Sequence, residues 1–213
     1  MAALIMDPDV QRRMIARRRR LGIDHWDEVW DGVYVMAPAA DNQHFEVAAD
    51  LLAVFVECVR RPGLGRVMPG INVSDRKEGW RKNFRCPDVT VFLNGTLAED
   101  CGKFWYGCPD FAVEVVSPHD RTRKKIPFYE KVSTRELLII DRRPWRLTLF
   151  RLVDRKLAEV GQSTFEEPSD LRSAVIPLTF RLVGDANKPA IFIQNHDGKR
   201  QWTVEATPQK TGR

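Results

Sequence analysis

Three side chains in this sequence have the types and spacing for phosphodiester chemistry: Asp88, Glu114 and Lys125. Asp88 precedes the apolar run Val89-Thr90-Val91-Phe92-Leu93, and Glu114 lies inside Phe111-Ala112-Val113-Glu114-Val115-Val116, so both acids sit on or beside segments that read as buried strands. An ionised carboxylate is costly to bury alone. Two neighbouring ones are tolerated beside a divalent cation, a shared proton or a basic side chain. In phosphodiester hydrolysis such a pair holds Mg²⁺ or Mn²⁺, which shields the phosphate oxygens and acidifies a water, while a nearby lysine positions or deprotonates that water. Mg²⁺ suits the pair because it binds through one or two carboxylates and keeps several waters.

The elements around these residues must bring them together. Along a strand the side chains alternate, so Glu114 shares a face with Ala112 and Val116. After the basic run Arg121-Thr122-Arg123-Lys124-Lys125, the residues Lys125, Phe128, Tyr129 and Val132 recur at i, i+3, i+4 and i+7. This spacing predicts a helix that turns Lys125 inward and, at about 100° per residue, points Lys124 toward solvent or substrate phosphate. Pro127 requires the helix to begin a residue or two earlier, or to kink. Upstream, residues 41–61 carry a helical apolar stripe ended by Pro62-Gly63. His44 lies on that stripe in the first turn, where a histidine is more often a packed, hydrogen-bonded residue than a functional one.

Elsewhere, residues 7–22 predict a basic helix with six arginines, a solvated face or mobile arm rather than a phosphate contact. Asp31-Gly32 between two alternating runs predicts a β-hairpin. Short extended segments near residues 66–73 lead into a polar loop, residues 74–85. There Arg76, Lys77, Arg81 and Lys82 interleave with Trp80 and Phe84, a mixture suited to phosphate contact and base stacking, diluted by Asp75 and Glu78. Arg121 and Lys124 join this expected nucleic-acid surface. Strands are expected at residues 136–141 and, half-exposed, at 145–149, then short strand-like pieces at 156–160, 189–193 and 201–204 between loops.

With 213 residues, 43% of them hydrophobic, the chain can build one domain with a substantial core. Its expected parts are a basic helix (1–22), a core (23–144), a β extension of the same domain (145–205) and a flexible tail (206–213). The net charge of +5 favours acidic partners such as nucleic acid. The cysteines Cys58, Cys86, Cys101 and Cys108 form no Cys-x-x-Cys pair and the histidines are scattered, which excludes zinc-finger spacing and leaves reduced thiols. No apolar run reaches the ~20 residues of a membrane span, and Ala2-Ala3-Leu4-Ile5-Met6 is too short for a signal-peptide core, so a soluble, cytoplasmic protein is expected. A carboxylate-pair glycosidase needs one acid of raised pKa, whereas the local arginines and lysines would lower it.

Several stretches together resemble the Uma-two family of restriction-endonuclease-like proteins, part of the PD-(D/E)XK nuclease superfamily. They are Asp27-Glu28-Val29-Trp30-Asp31-Gly32-Val33-Tyr34-Val35-Met36-Ala37-Pro38, His44 opening a helix, Arg85-Cys86-Pro87-Asp88-Val89, Pro109-Asp110-Phe111-Ala112-Val113-Glu114-Val115-Val116-Ser117-Pro118, the Lys125-x-x-x-Tyr129 helix and Leu138-Ile139-Ile140-Asp141. The resemblance spans residues 27–144. It implies an α/β fold with a restriction-endonuclease-like core, a central mixed β-sheet flanked by helices, and metal-dependent cleavage of nucleic acid, DNA above all. By it Asp88 and Glu114 are metal ligands for Mg²⁺ or Mn²⁺, and His44 and Tyr129 play supporting parts. Val116 stands where the superfamily pattern has lysine, and the lysine supplied from the following helix maps to Lys125, in agreement with the inward stripe. A non-catalytic nucleic-acid-binding module on the same fold is the alternative. A homodimer is expected because two symmetry-related sites most simply cut both strands of a duplex.

Overall fold

The computed structural model describes residues 8–37, 40–117 and 121–207. Helix α1 (Pro8–Arg20) ends in four arginines, where the helix dipole favours cations. One of them, Arg18, donates from Nε and Nη2 to the two oxygens of Asp27, each at 2.6 Å, and so fastens the helix to the segment that leads into the first hairpin. Asp27 also accepts from Tyr34 Oη and the Ala37 amide. The expected solvated arm is therefore anchored on one side, because a buried carboxylate needs those donors.

Strands β1 (Glu28–Trp30) and β2 (Val33–Val35) form the expected hairpin, with Asp31 (φ 46) and Gly32 (φ 88) both left-handed as a tight turn requires. Helix α2 (Asn42–Phe55) is capped by Asp41, which accepts from the His44 amide at 2.9 Å, and runs into a π-helical turn at Val56–Arg60. Then come β3 (Gly65–Pro69), β4 (Val73–Ser74), β5 (Phe84–Arg85), β6 (Val89–Leu93), β7 (Glu99–Asp100), β8 (Trp105–Tyr106) and β9 (Phe111–Val115). A 3-10 turn, Thr122–Lys125, leads into α3 (Ile126–Lys131), with Pro127 in its first turn as expected. The chain continues through β10 (Glu136–Arg142), β11 (Trp145–Val153), β12 (Lys156–Ser163), β13 (Leu171–Arg172), β14 (Leu178–Gly184), β15 (Pro189–Asn195) and β16 (Gln201–Glu205).

The central sheet has the order β12-β11-β10-β9-β6-β3; β9 and β10 are parallel and its other pairs antiparallel, so it is mixed. Val47, Leu51 and Phe55 of α2 pack with Val89, Phe111 and Val113 on one face, and Phe128 and Tyr129 of α3 pack with Ala112, Leu137 and Ile139 on the other. The two predicted helices thus sandwich the strands that carry the acids.

Three parts of the architecture differ from expectation. The segment read as a loop before residue 189 contains β14, whose Leu178, Phe180 and Leu182 are buried while the residues between them are partly exposed. This strand joins a four-stranded sheet, β13-β14-β15-β16, that packs on α2: Phe55 meets Phe111 of the central sheet and Phe180 of this one edge-on, at 5.7 and 6.0 Å. The half-exposed strand expected at 145–149 is instead largely buried, since Leu147 and Leu149 face this shared core. The first two residues of the expected tail are held: Ala206 is buried, its amide donates to Pro189 O, and Gln43 Nε2 donates to Thr207 O at 2.9 Å. Residues 208–213 lie outside the described residues. The remaining sheet, β2-β1-β5-β4-β8-β7, is built from strands of two or three residues, too short to show a period.

Candidate active site

Asp88 lies one residue before β6, its amide donating to Val113 O of the neighbouring strand. Its carboxylate is held from two sides. Oδ2 accepts the Val115 amide at 2.7 Å, and Oδ1 meets His44 Nε2 at 3.0 Å. Since His44 Nδ1 meets Ser117 Oγ at 3.1 Å, the chain Ser117-His44-Asp88 links the end of β9, the first turn of α2 and the start of β6. The histidine expected to be packed and hydrogen-bonded is so, and the group it orients is the predicted metal ligand.

Glu114 sits in the middle of the sheet, fully buried. Lys125 Nζ donates to its Oε1 at 3.0 Å and its Oε2 at 2.8 Å, and Tyr129 Oη donates to Oε1. The inward stripe of the helix therefore places Lys125 and Tyr129 on one carboxylate, while Lys124 is exposed. Burial pushes the Glu114 carboxyl above its usual 4.5, and the charges of Asp88 and Glu28 push the same way against the pull of Lys125. Burial next to Glu114 likewise raises the Tyr129 phenol well above its usual range.

Glu28 carries no expected role, yet it is a third acid of this site. Its Oε1 lies 2.9 Å from Lys125 Nζ and accepts the Cys86 amide at 2.9 Å, and its Oε2 accepts Trp30 Nε1 at 2.6 Å. The signal was its alternation with Trp30 on a hairpin strand, which sends both side chains to one face. The ammonium of Lys125 is thus shared by two buried glutamates that come from different sheets.

Glu28, His44, Asp88, Glu114, Arg121 and Lys125 all line one cleft of about 240 Å³. Cys86 lines it too, but burial raises its thiol, which makes it a poor nucleophile. Among the described residues no three His, Cys, Asp or Glu side chains are grouped as a dedicated metal cage. Two carboxylates opening on a cleft are nonetheless what a hard cation of the Mg²⁺ or Mn²⁺ class requires, because water and substrate oxygens complete its shell. Among the described residues, the three acids are bonded to one lysine and one histidine.

Of the six residues expected to touch nucleic acid, Arg121 lines the cleft. Arg76 is chelated by Asp75 at 2.8 and 3.0 Å and lies 3.4 Å from Asp31, and Lys77 pairs with Glu99 at 2.5 Å. Arg81 lies over Trp80 at 5.2 Å, and Trp80 is stacked on Phe104 at 4.7 Å. Asp75 and the loop's aromatics are therefore engaged in holding the loop together, while Arg81, Lys82 and Lys124 remain exposed.

A family model described as "Uma2: Putative restriction endonuclease" matches residues 24–182. Among solved structures, the chain is similar to "a putative nuclease belonging to DUF820 from Anabaena variabilis ATCC 29413" at 19% sequence identity and a TM-score of 0.55, covering 69% of this chain and 80% of that one. At that identity the likeness is one of fold. No curated protein matches. Pro38 and Pro118, which end two of the resembling stretches, lie outside the described residues.

Proposed function

The chain belongs to the Uma2 family, and from that premise we propose that it is a metal-dependent endonuclease that hydrolyses phosphodiester bonds of nucleic acid, DNA in particular. The observation that carries this reading is the convergence of Asp88 and Glu114, from neighbouring strands, with Lys125 in one cleft. Asp88 and Glu114 would hold Mg²⁺ or Mn²⁺, whose contribution is to shield phosphate charge and acidify the attacking water. His44 and the Val115 amide fix the Asp88 carboxylate, which removes its freedom to swing away. Tyr129 does the same for Glu114. Lys125 Nζ, between Glu28 and Glu114, is the group placed to orient the reacting water and exchange a proton with it. Arg121 adds positive charge for a phosphate in the same cleft.

A nucleic-acid-binding module without catalysis is the competing reading. It is favoured by the Lys125 ammonium engaging both oxygens of Glu114. Incubation with supercoiled plasmid and with circular single-stranded DNA, across Mg²⁺ and Mn²⁺ concentrations, separates the two. Cleavage that needs the cation and is lost in Asp88→Ala is the expected result; binding that ignores EDTA, with no cleavage in either metal, supports the module. Cleavage of both duplex strands goes with a homodimer, and nicking or single-strand cleavage with a monomer at micromolar concentration.

A further inference from the structure

Beside the acids, the same cleft carries aromatic surface that solvent reaches. Trp26, in the turn before β1, is 42% exposed and Phe45, in the first turn of α2, is 47% exposed, and both line the cleft. Large aromatics left in water cost free energy, and an apolar patch on a soluble surface marks a binding site more often than chance.

Both rings are fixed relative to Asp88. The six-membered ring of Trp26 lies on Gly70, where a Cβ would come within 1.8 Å of Cζ3, so only glycine admits the indole there; Gly70 also has φ +50. The Gly70 amide donates to Asp88 O at 3.1 Å. Phe45 packs edge-on against His44, with ring centroids 5.8 Å apart, and His44 holds the Asp88 carboxylate. One residue separates each exposed ring from the acid.

We propose that Trp26 and Phe45 are a stacking platform for an unpaired nucleobase, so that the cleft takes single-stranded or locally splayed nucleic acid in preference to intact duplex. The proposal rests on the nucleic-acid reading of this site and names its substrate class. Stacking on a protein ring needs a base with a free face; in a duplex both faces are covered by neighbouring pairs, whereas an unpaired base offers one whatever its identity. The cleft supplies the two things such a strand requires, rings for the base and, in Arg121, a cation for the phosphate. Referencing the rings to Asp88 sets the stacked base at a fixed distance from the hydrolytic residues.

The test is fluorescence anisotropy of the intact chain in EDTA, where no cleavage occurs, with labelled oligo-dT and with a labelled two-strand duplex that has neither loop nor overhang. Oligo-dT should bind more tightly than the duplex. Trp26→Ala should weaken oligo-dT by roughly tenfold and leave duplex binding and the salt slope unchanged, because a base contact is lost and no phosphate contact. Trp26→Phe, which keeps a ring, should recover most of the loss. Phe45→Ala, which does not touch Gly70, should weaken oligo-dT in the same selective way and carries the test if Trp26→Ala fails to fold. Equal affinity for the two ligands, equal losses on both in the variants, or a loss of self-association in place of a loss of binding would overturn the proposal. Single-strand preference without cleavage in any metal would instead sink the endonuclease reading and leave the platform standing.

Discussion

Two buried glutamates occupy neighbouring parallel strands, Glu114 on β9 and Glu136 on β10, and they live in opposite company. Glu136 accepts from Arg151 Nε at 2.7 Å, Ser173 Oγ at 2.5 Å and the Ala174 amide at 3.0 Å. It has its own guanidinium and neutral donors, at the junction between the central sheet and the C-terminal sheet. Glu114 shares its lysine with Glu28, feels the charge of Asp88 and faces a cleft. Burial is the same in both, so burial does not mark chemistry. What does is an excess of acids over the cations bonded to them, at a place a substrate can reach.

Exchanging the carboxyl for an amide at each position has the largest effects expected from this contrast. Glu114→Gln should reduce single-turnover cleavage by 10²-fold or more, the size of effect expected of a group acting at the reacting centre, with little loss of stability. Glu136→Gln should leave cleavage intact and cost roughly 1–3 kcal/mol in urea unfolding, since Ser173, the Ala174 amide and the partly exposed Arg151 lose a charged acceptor. A folded Glu136 variant that no longer cleaves, or an active Glu114 variant, would erase the distinction.

A smaller effect is expected at Glu28, which lines the cleft and meets Glu114 through their shared Lys125. Glu28→Gln should lower kcat by about tenfold with KM little changed. Removing an anion from beside an ammonium lowers its pKa, so the limb of the pH–rate profile that reports Lys125 should move to lower pH. An unmoved profile would mean that Glu28 only holds the Cys86 amide and Trp30.

The smallest effect is on stability. Glu114 has a folded pKa above its unfolded 4.5, so the folded state holds that proton more tightly. The stability this contributes is fully present below pH 4.5 and is lost as pH rises through the folded value. In metal-free buffer the thermal midpoint of the natural chain should therefore decline over that range relative to Glu114→Gln. Parallel curves would show that Lys125 and Tyr129 already offset the burial.

Much of this site was legible because its residues lie on periodic elements. The strand run around Glu114 and the i, i+4 pair Lys125 and Tyr129 fix both faces of one contact, and the structure brings them together. The helix stripe likewise put His44 on the face that packs. Glu28 escaped because its contacts come from residues 58 and 97 positions away, and no local period reports a partner so distant. Beyond the β1–β2 hairpin, the sheet of very short strands escaped because strands of two residues show no period. In sequence Lys77 looks like a cation open to phosphate; whether Glu99 reaches it depends on how β4, β8 and β7 pair, which composition does not encode.

Two adjacent lysines distinguish a group that acts at the cleft from one that only carries charge. Lys125 Nζ is buried on Glu28 and Glu114, whereas Lys124 is exposed one residue away on the same turn. In single-turnover cleavage at saturating Mn²⁺, Lys125→Ala should be slowed by roughly 10²-fold or more with metal and substrate binding retained, and Lys124→Ala should cleave at the parental rate with a modest, salt-dependent loss of affinity. If Lys124→Ala is the inactive variant, or both cleave like the natural chain, the cleft built from Asp88, Glu114 and Lys125 is not where the chemistry occurs.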